Sequence, residues 1–331
     1  MNFYINKPKN SIPTLSLVQC DWGSLSSKKN FSQNLGQALH EHGFVLMENN
    51  FLPVDLNNQI FNDTAKFFSL PNEIKQKYEH PQLCGERGYV SKGRERSKKT
   101  QVGDLKEFFS AGRELRTYEA KEGSYFENIW PEEIPTFRNS CLESYERFYL
   151  EGVKIMHLLA LYLDLPEDYF DQIVYNSNHT LLRVLHHYQL SKQEKYLQKS
   201  MRTAEHTNIN FLTLALGRNF DALQGLDYPQ RRRQNWLPIA FSQEKYILAV
   251  GDMLAWLTND KLPSANFRVV NSLSQSSLHS QYIVSLYLHP HEDFELSVLP
   301  SCIDNEHPKK YSDATAGALF DERLRAIGLK Y

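Results

Sequence analysis

Apolar positions in the first half of the chain recur at helical spacing. Leu35, Ala38 and Leu39 share one face of a helix predicted over residues 30–42, which Gly43 stops. Leu56, Ile60, Phe61, Ala65 and Phe68 mark a second amphipathic helix over 54–68, and Pro71 opens a further helical turn. The longest such pattern runs over 131–165 through Phe137, Leu142, Tyr145, Phe148, Val153, Met156 and Leu159, with a short helix at 166–174 after it. Three short apolar stretches in this half, 12–17, 44–47 and 105–110, read as strands. From Leu181 the pattern changes. LLRVLHHY, FLTLAL, NWLPIA, KYILAV, DMLAWLT, FRVVNS and YIVSLYLHP are short runs separated by Gly, Pro, Asn or Asp, and all seven are predicted to be strands. A helix over 314–329, with Leu319, Phe320, Leu324 and Ile327, closes the chain. A closed or double-sheet β core with helices outside it fits that order.

Composition narrows the function classes. With 331 residues, 41% of them hydrophobic and 12% aromatic, the chain can bury a large core. A net charge of −2 gives no sign of a nucleic-acid or membrane partner. Cys20, Cys84, Cys141 and Cys302 have no CxxC spacing and read as reduced thiols of a cytoplasmic protein. The opening MNFYINKPKNSIPTL lacks an apolar run, so no signal peptide is expected, and no stretch of 18 apolar residues predicts a membrane span. No Ser-His-Asp, Cys-His or phosphate-loop arrangement is visible.

The candidate chemistry centres on RTAEHTNINFLTLAL, residues 202–216. It reads as a turn feeding a β-strand, and in a strand His206 and Asn208, two apart, point to the same face. A His-x-Asp pair so placed would be two thirds of a 2-His-1-carboxylate site for non-heme Fe(II), but the third residue here is Asn. The competing reading of His206 is a barrel-lining histidine hydrogen-bonded to a neighbour such as Asn208. His186, His187 and His279 are further ligand candidates, set against a reading as rim histidines. Tyr188, Phe211 and Phe267 form a candidate aromatic pocket, against plain core packing. The basic run with Arg94, Arg96, Lys98 and Lys99 reads as a solvated loop rather than an anion site, and Arg231, Arg232 and Arg233 as a turn.

Taken in order, IPTLSL, HGFVLMENN, AKFFSLPNEIKQKY, RGYVSKGRE, DLKEFFSAGREL, LLRVLHHY, HTNINFLTLALG, VGDMLAWLTNDKLPSANFRVVN and SLYLHPHEDF run nearly end to end. In these segments the chain resembles the isopenicillin N synthase-like branch of the Fe(II)/2-oxoglutarate-dependent oxygenases. The resemblance implies an α+β fold with a double-stranded β-helix (jelly-roll) core, in a single domain over 1–331. Within it lie an N-terminal helical region over 1–165, the jelly roll over 180–292 and a C-terminal helix over 313–330. It places the first metal histidine at His206, the metal aspartate at Asn208 and the second metal histidine at Phe267. The Arg-x-Ser that grips 2-oxoglutarate falls on Gln281 and Ile283, and the co-substrate tyrosine on His187, or on Tyr188 after a one-residue slip.

Asn offers a neutral carbonyl oxygen where Asp offers a charge, and Phe offers no ligand. Gln lacks the cationic fork of Arg. The expectation is therefore a pseudo-oxygenase, or a small-molecule binder or catalyst without iron. It would hold no cofactor tightly, and Fe(II) with 2-oxoglutarate only if the family chemistry survives. The alternatives are an active Fe(II) oxidoreductase with a site rebuilt from His206 and His187 or His279, and an interaction protein with a filled barrel. A small-molecule ligand is compatible with this; a protein partner is not specified. Geometrically, His206, Asn208 and Phe267 should converge inside the barrel, with Gln281 facing the same cavity.

Overall fold

The computed structural model describes residues 12–48, 51–95, 103–114, 126–175, 177–188, 203–218, 223–226, 236–239, 242, 244–270 and 280–330. Helix α1 (Leu25–His42) starts five residues before the predicted stripe, because Ser24 caps it by accepting a hydrogen bond from the Ser27 amide. It ends at Gly43, whose φ of 75° suits a glycine. Helix α2 (Val54–Phe68), the short α3 (Asn72–Lys75), the long α4 (Phe137–Tyr162) and the short α5 (Asp171–Val174) follow the predicted order. DMLAWLT is a correction. It forms helix α6 (Asp252–Leu257), not a strand. Its apolar residues are consecutive rather than alternating, which suits a wholly buried turn of helix as well as a strand. Helix α7 (Ala316–Ala326) begins at a Thr315 cap.

The strands are β1 (Thr14–Ser16), β2 (Phe44–Glu48), β3 (Gly88–Val90), β4 (Lys106–Gly112), β5 (Leu181–His187), β6 (Thr203–Thr207), β7 (Leu212–Arg218), β8 (Leu223–Leu226), β9 (Trp236–Ile239), β10 (Lys245–Val250), β11 (Asn266–Val269) and β12 (Gln281–Leu288). One sheet has the order β1-β2-β10-β7-β12-β5-β4-β3, the other β6-β11-β8-β9. The two sheets form the jelly-roll core, with the helices packed outside it. Strands from the N-terminal region and from the β-rich half share the larger sheet, so that sheet joins both halves of the chain.

Strand alternation gives the larger sheet two faces. One face turns Val184, Leu214, Leu248 and Leu286 toward α2 and α4. There Phe67 stacks on Phe137 at 5.5 Å and meets Phe109 edge-on at 5.1 Å. Burying each such ring contributes about 1.5–3 kcal/mol. The same face carries Glu107, fully buried. Lys75 Nζ donates to its Oε2 at 2.8 Å, Tyr89 Oη donates to that oxygen at 2.5 Å, and His186 Nδ1 donates to Oε1 at 2.7 Å. Burial alone would raise the Glu107 pKa. Hydrogen bonds from His186, Lys75, Tyr89 and Tyr188 outweigh it and hold the carboxyl at about 2.

Because that pKa lies below the ordinary 4.5, the ionised carboxylate contributes stability that is complete above pH 4.5 and lost as pH falls toward 2. Glu107→Gln strands the Lys75 ammonium in the core, and should destabilise the fold by about 3–5 kcal/mol at neutral pH. Denaturant unfolding at a series of pH values should show the gap to wild type closing over that acid range. An unchanged midpoint at pH 7 would contradict this assignment.

Candidate functional site

The inner side of the jelly roll holds the residues singled out in the sequence. β6 and β11 are antiparallel, and Phe267 stands directly opposite His206. On its other flank Phe267 pairs with Gly225 of β8. The Phe44 ring from the facing sheet lies 5.4 Å from the Phe267 ring, centroid to centroid. A Cβ on Gly225 would come within 2.4 Å of Phe44, so glycine is what lets this ring close over the strand. His206 Nδ1 donates to the Ala204 carbonyl at 2.9 Å, which turns the other ring nitrogen into a bare acceptor. Asn208 Nδ2 donates to Thr213 Oγ1 at 2.9 Å. The partner of His206 is thus its own strand's backbone, not Asn208. Nor do the two share a strand. β6 ends at Thr207, and Asn208 begins the turn into β7.

His206, Asn208, Phe267, His187 and Ile283 nevertheless line one inner cavity of about 110 Å³. Gln281 does not line it. It has the inward parity of Ile283, but sits at the start of β12, fully buried and paired with His187. His186 and His187 are both buried rather than on a rim. His187 faces inward, whereas His186 turns outward to Glu107. Tyr188 is likewise absent from the cavity. Its ring lies 4.7 Å from His186, and Lys92 sits over it at 4.8 Å. Phe211 packs between Phe170 and Phe294, away from the cavity, because it precedes β7 in the turn whose backbone bonds Leu288 and Gly251. His279, Arg96, Lys98, Lys99 and Arg231 to Arg233 lie outside the described residues. Arg94 is paired with Glu79 at 3.2 Å.

Sequence reasoning missed a set of charges. Lys106 points inward from β4, with Nζ 3.2 Å from Glu95 and 3.1 Å from Asp104. Burial penalises the Lys106 ammonium, but Glu95 and Asp104 outweigh it and leave its pKa above the ordinary lysine value. Burial likewise opposes the Glu95 carboxylate, yet Lys106 and Arg183 pull its pKa down. His206 is held below the ordinary histidine value by burial and then by Lys106. A second cavity of about 250 Å³ adjoins the first. Lys106, Arg183, His206 and Tyr287 belong to both, and Phe320 and Leu324 of α7 cover the larger one. The signal for Lys106 was present in DLKEFFSA. Two adjacent charges in an apolar strand must point to opposite faces, so each must find its own buried partner. Among the described residues, no three His, Cys, Asp or Glu side chains gather as ligands for one ion.

Residues 12–133 match the profile described as non-haem dioxygenase in morphine synthesis, N-terminal, and residues 178–290 that of the 2OG-Fe(II) oxygenase superfamily. The chain is 30% identical over 306 residues to a proline hydroxylase, buaE, of Petromyces alliaceus, covering 89% of this chain and 92% of that one. A crystal structure of a 2OG-Fe(II) oxygenase family protein from Caulobacter crescentus superposes with a TM-score of 0.82 at 31% identity, over 96% of this chain and 99% of that one. A full-length Neurospora crassa protein, solved in complex with alpha-KG, has the same TM-score of 0.82 over 97% and 98% of the two chains; at 23% identity it is a likeness of fold.

Lys106→Met removes the cation from between two carboxylates, and should cost about 3–5 kcal/mol. It also removes a charge that holds the His206 pKa down. In the wild type, the neutral His206 contributes stability that is present above pH 6.5 and lost as pH falls through its lowered pKa. The variant should titrate His206 at higher pH, followed by NMR of the ring protons. A His206 titration that stays where it was would show that Lys106 does not act on it.

Proposed function

The chain belongs to the 2OG-Fe(II) oxygenase superfamily, and from that premise we propose that it keeps the jelly-roll cavity as a small-molecule site without iron- and 2-oxoglutarate-dependent oxidation. One observation carries the proposal: an aromatic ring, Phe267, stands across from His206 on the paired strand. Beside that ring the wall offers the His206 nitrogen and the neutral amide oxygen of Asn208, with His187 as a second imidazole elsewhere in the cavity. Lacking Asp at 208 and His at 267, this fits Fe(II) poorly, since a facial site needs two histidines and a carboxylate set together. Polar partners behind the ligands cannot replace a missing ligand. The co-substrate side supports the same reading. Ile283 puts methyl groups into the cavity, while Gln281 is buried outside its lining.

The cavity offers such a molecule a base beside a fixed positive charge. His206 presents an unprotonated ring nitrogen, and Lys106 an ammonium that Glu95 and Asp104 keep protonated. A binder, or a catalyst of proton transfer without a metal, is the function these groups support. The described residues leave two cavities open, which argues against a filled barrel. A metal centre rebuilt from His206 and His187 is the second reading, favoured by their sharing the inner cavity. All four cysteines are free thiols, in keeping with a reducing cytoplasm. No described helix is long and apolar enough to cross a membrane, and neither a membrane nor a nucleic acid enters the proposal.

Calorimetric titration with Mn(II) and Fe(II) under anaerobic conditions separates the two readings. Wild type should show no one-to-one site of micromolar affinity, and 2-oxoglutarate should not raise its melting temperature. Asn208→Asp with Phe267→His should gain metal affinity on the order of tenfold or more, while each single change gains little. A tight one-to-one site in the wild type would sink the proposal in favour of the rebuilt centre, to be checked by His187→Ala.

A further inference from the structure

The two cavities differ in chemistry, and that difference defines a ligand. Leu185, Ala215, Leu223, Ile247, Phe267 and Ile283 make much of the inner chamber apolar. Its volume of about 110 Å³ suits a short alkyl chain or small ring, since an apolar cavity of about 150 Å³ holds benzene. At the junction with the outer chamber the lining becomes ionic, with Lys106, Glu95 and Arg183. The Lys106 charge is already matched by Glu95 and Asp104. Arg183 feels the Glu95 carboxylate across the junction but makes no direct contact with it. Among the described residues its guanidinium makes no ion pair with a carboxylate. Nε donates to Ser110 Oγ at 3.1 Å and Nη2 to the Gly85 carbonyl at 3.3 Å. Two rings hold it in place, Phe108 at 4.0 Å and Tyr287 at 5.3 Å from Cζ. A half-buried, oriented guanidinium beside a cavity, whose direct hydrogen bonds go to neutral acceptors alone, can take an anion as a hydrogen-bonded partner.

We propose that the cavity takes a monocarboxylate with an apolar tail, the tail in the inner chamber and the carboxylate on Arg183. This rests on the metal-free reading and adds the ligand class to it. A dicarboxylate is disfavoured, because its second carboxylate would give up its water for a chamber whose lining, beyond Lys106 and Arg183 at the junction, holds no lysine or arginine. A neutral alcohol with the same tail fills the chamber but leaves Arg183 without an anion.

Hexanoate, hexan-1-ol and adipate share a six-carbon chain and carry one carboxylate, none and two. Calorimetric titration of each into the full-length protein, with EDTA present throughout, reads the proposal directly. Hexanoate should bind one-to-one, and at least about tenfold more tightly than either of the others. Arg183→Gln should weaken hexanoate by about tenfold or more and leave hexanol where it was. Arg183→Lys should recover part of the loss, and Ala215→Leu, which fills the inner chamber, should weaken hexanoate and hexanol together. Hexanol as tight as hexanoate, adipate tighter than hexanoate, an unchanged Arg183→Gln, or no hexanoate binding at millimolar concentration would each overturn the proposal. If a variant does not fold, the wild-type series alone decides. Failure here is distinct from failure of the metal-free reading, which would appear as metal-dependent binding of 2-oxoglutarate in a parallel titration without EDTA.

Discussion

Two adjacent residues of β4 set the terms for the rest of the molecule. Lys106 and Glu107 are both buried, and strand geometry sends them to opposite faces of the larger sheet. A buried charge is tolerated only when paired and hydrogen-bonded. Glu107 therefore gathers Lys75, Tyr89 and His186 on the helical side, tying the segment after α2 to β3 and β5. Lys106 gathers Glu95 and Asp104 on the cavity side. One strand thus fixes the helical layer to the sheet and, one residue away, puts an ionic centre into the barrel. Neither system can be loosened without stranding a charge, so β4 cannot slip by one residue.

The cavity side of that arrangement carries the proposal that this chain does not run the iron chemistry of its superfamily. Phe267, backed by Phe44 and admitted by Gly225, fills the place opposite His206 with hydrocarbon. His206 is left oriented by a backbone carbonyl and bordered by Lys106 rather than by fellow ligands. The cavity there combines an apolar chamber, the His206 imidazole and an arginine framed by two rings, the features from which the metal-free proposal is argued.

The fold was largely legible because the sequence carries helical periodicity in its first half and short strand-like runs in its second, and because the resemblance supplied a jelly roll where periodicity alone left barrel and sandwich open. DMLAWLT was misread because an uninterrupted apolar run carries no period to distinguish strand from helix. The convergence of His206, Asn208 and Phe267 was legible from motif position. Their local geometry was not, since the strand break at Asn208 depends on how Asn210 and Thr213 hydrogen-bond the turn. Tyr188 and Phe211 were placed by aromatic character, which does not reveal the face on which a ring stands. Lys106, Glu95 and Arg183 escaped notice because their meaning lies in pairing between segments distant in sequence. A lone basic residue in LLRVL or LKEFF does not disclose its partners.

The central claim is that the barrel works around His206 without iron. Anomalous diffraction from crystals grown anaerobically with Fe(II) and 2-oxoglutarate, measured on both sides of the iron edge, tests it most directly. The account predicts no anomalous peak within ligand distance of the His206 ring, with the Phe267 ring still closed against Phe44. An iron peak bound by His206 together with a second protein side chain, His187 above all, would contradict it.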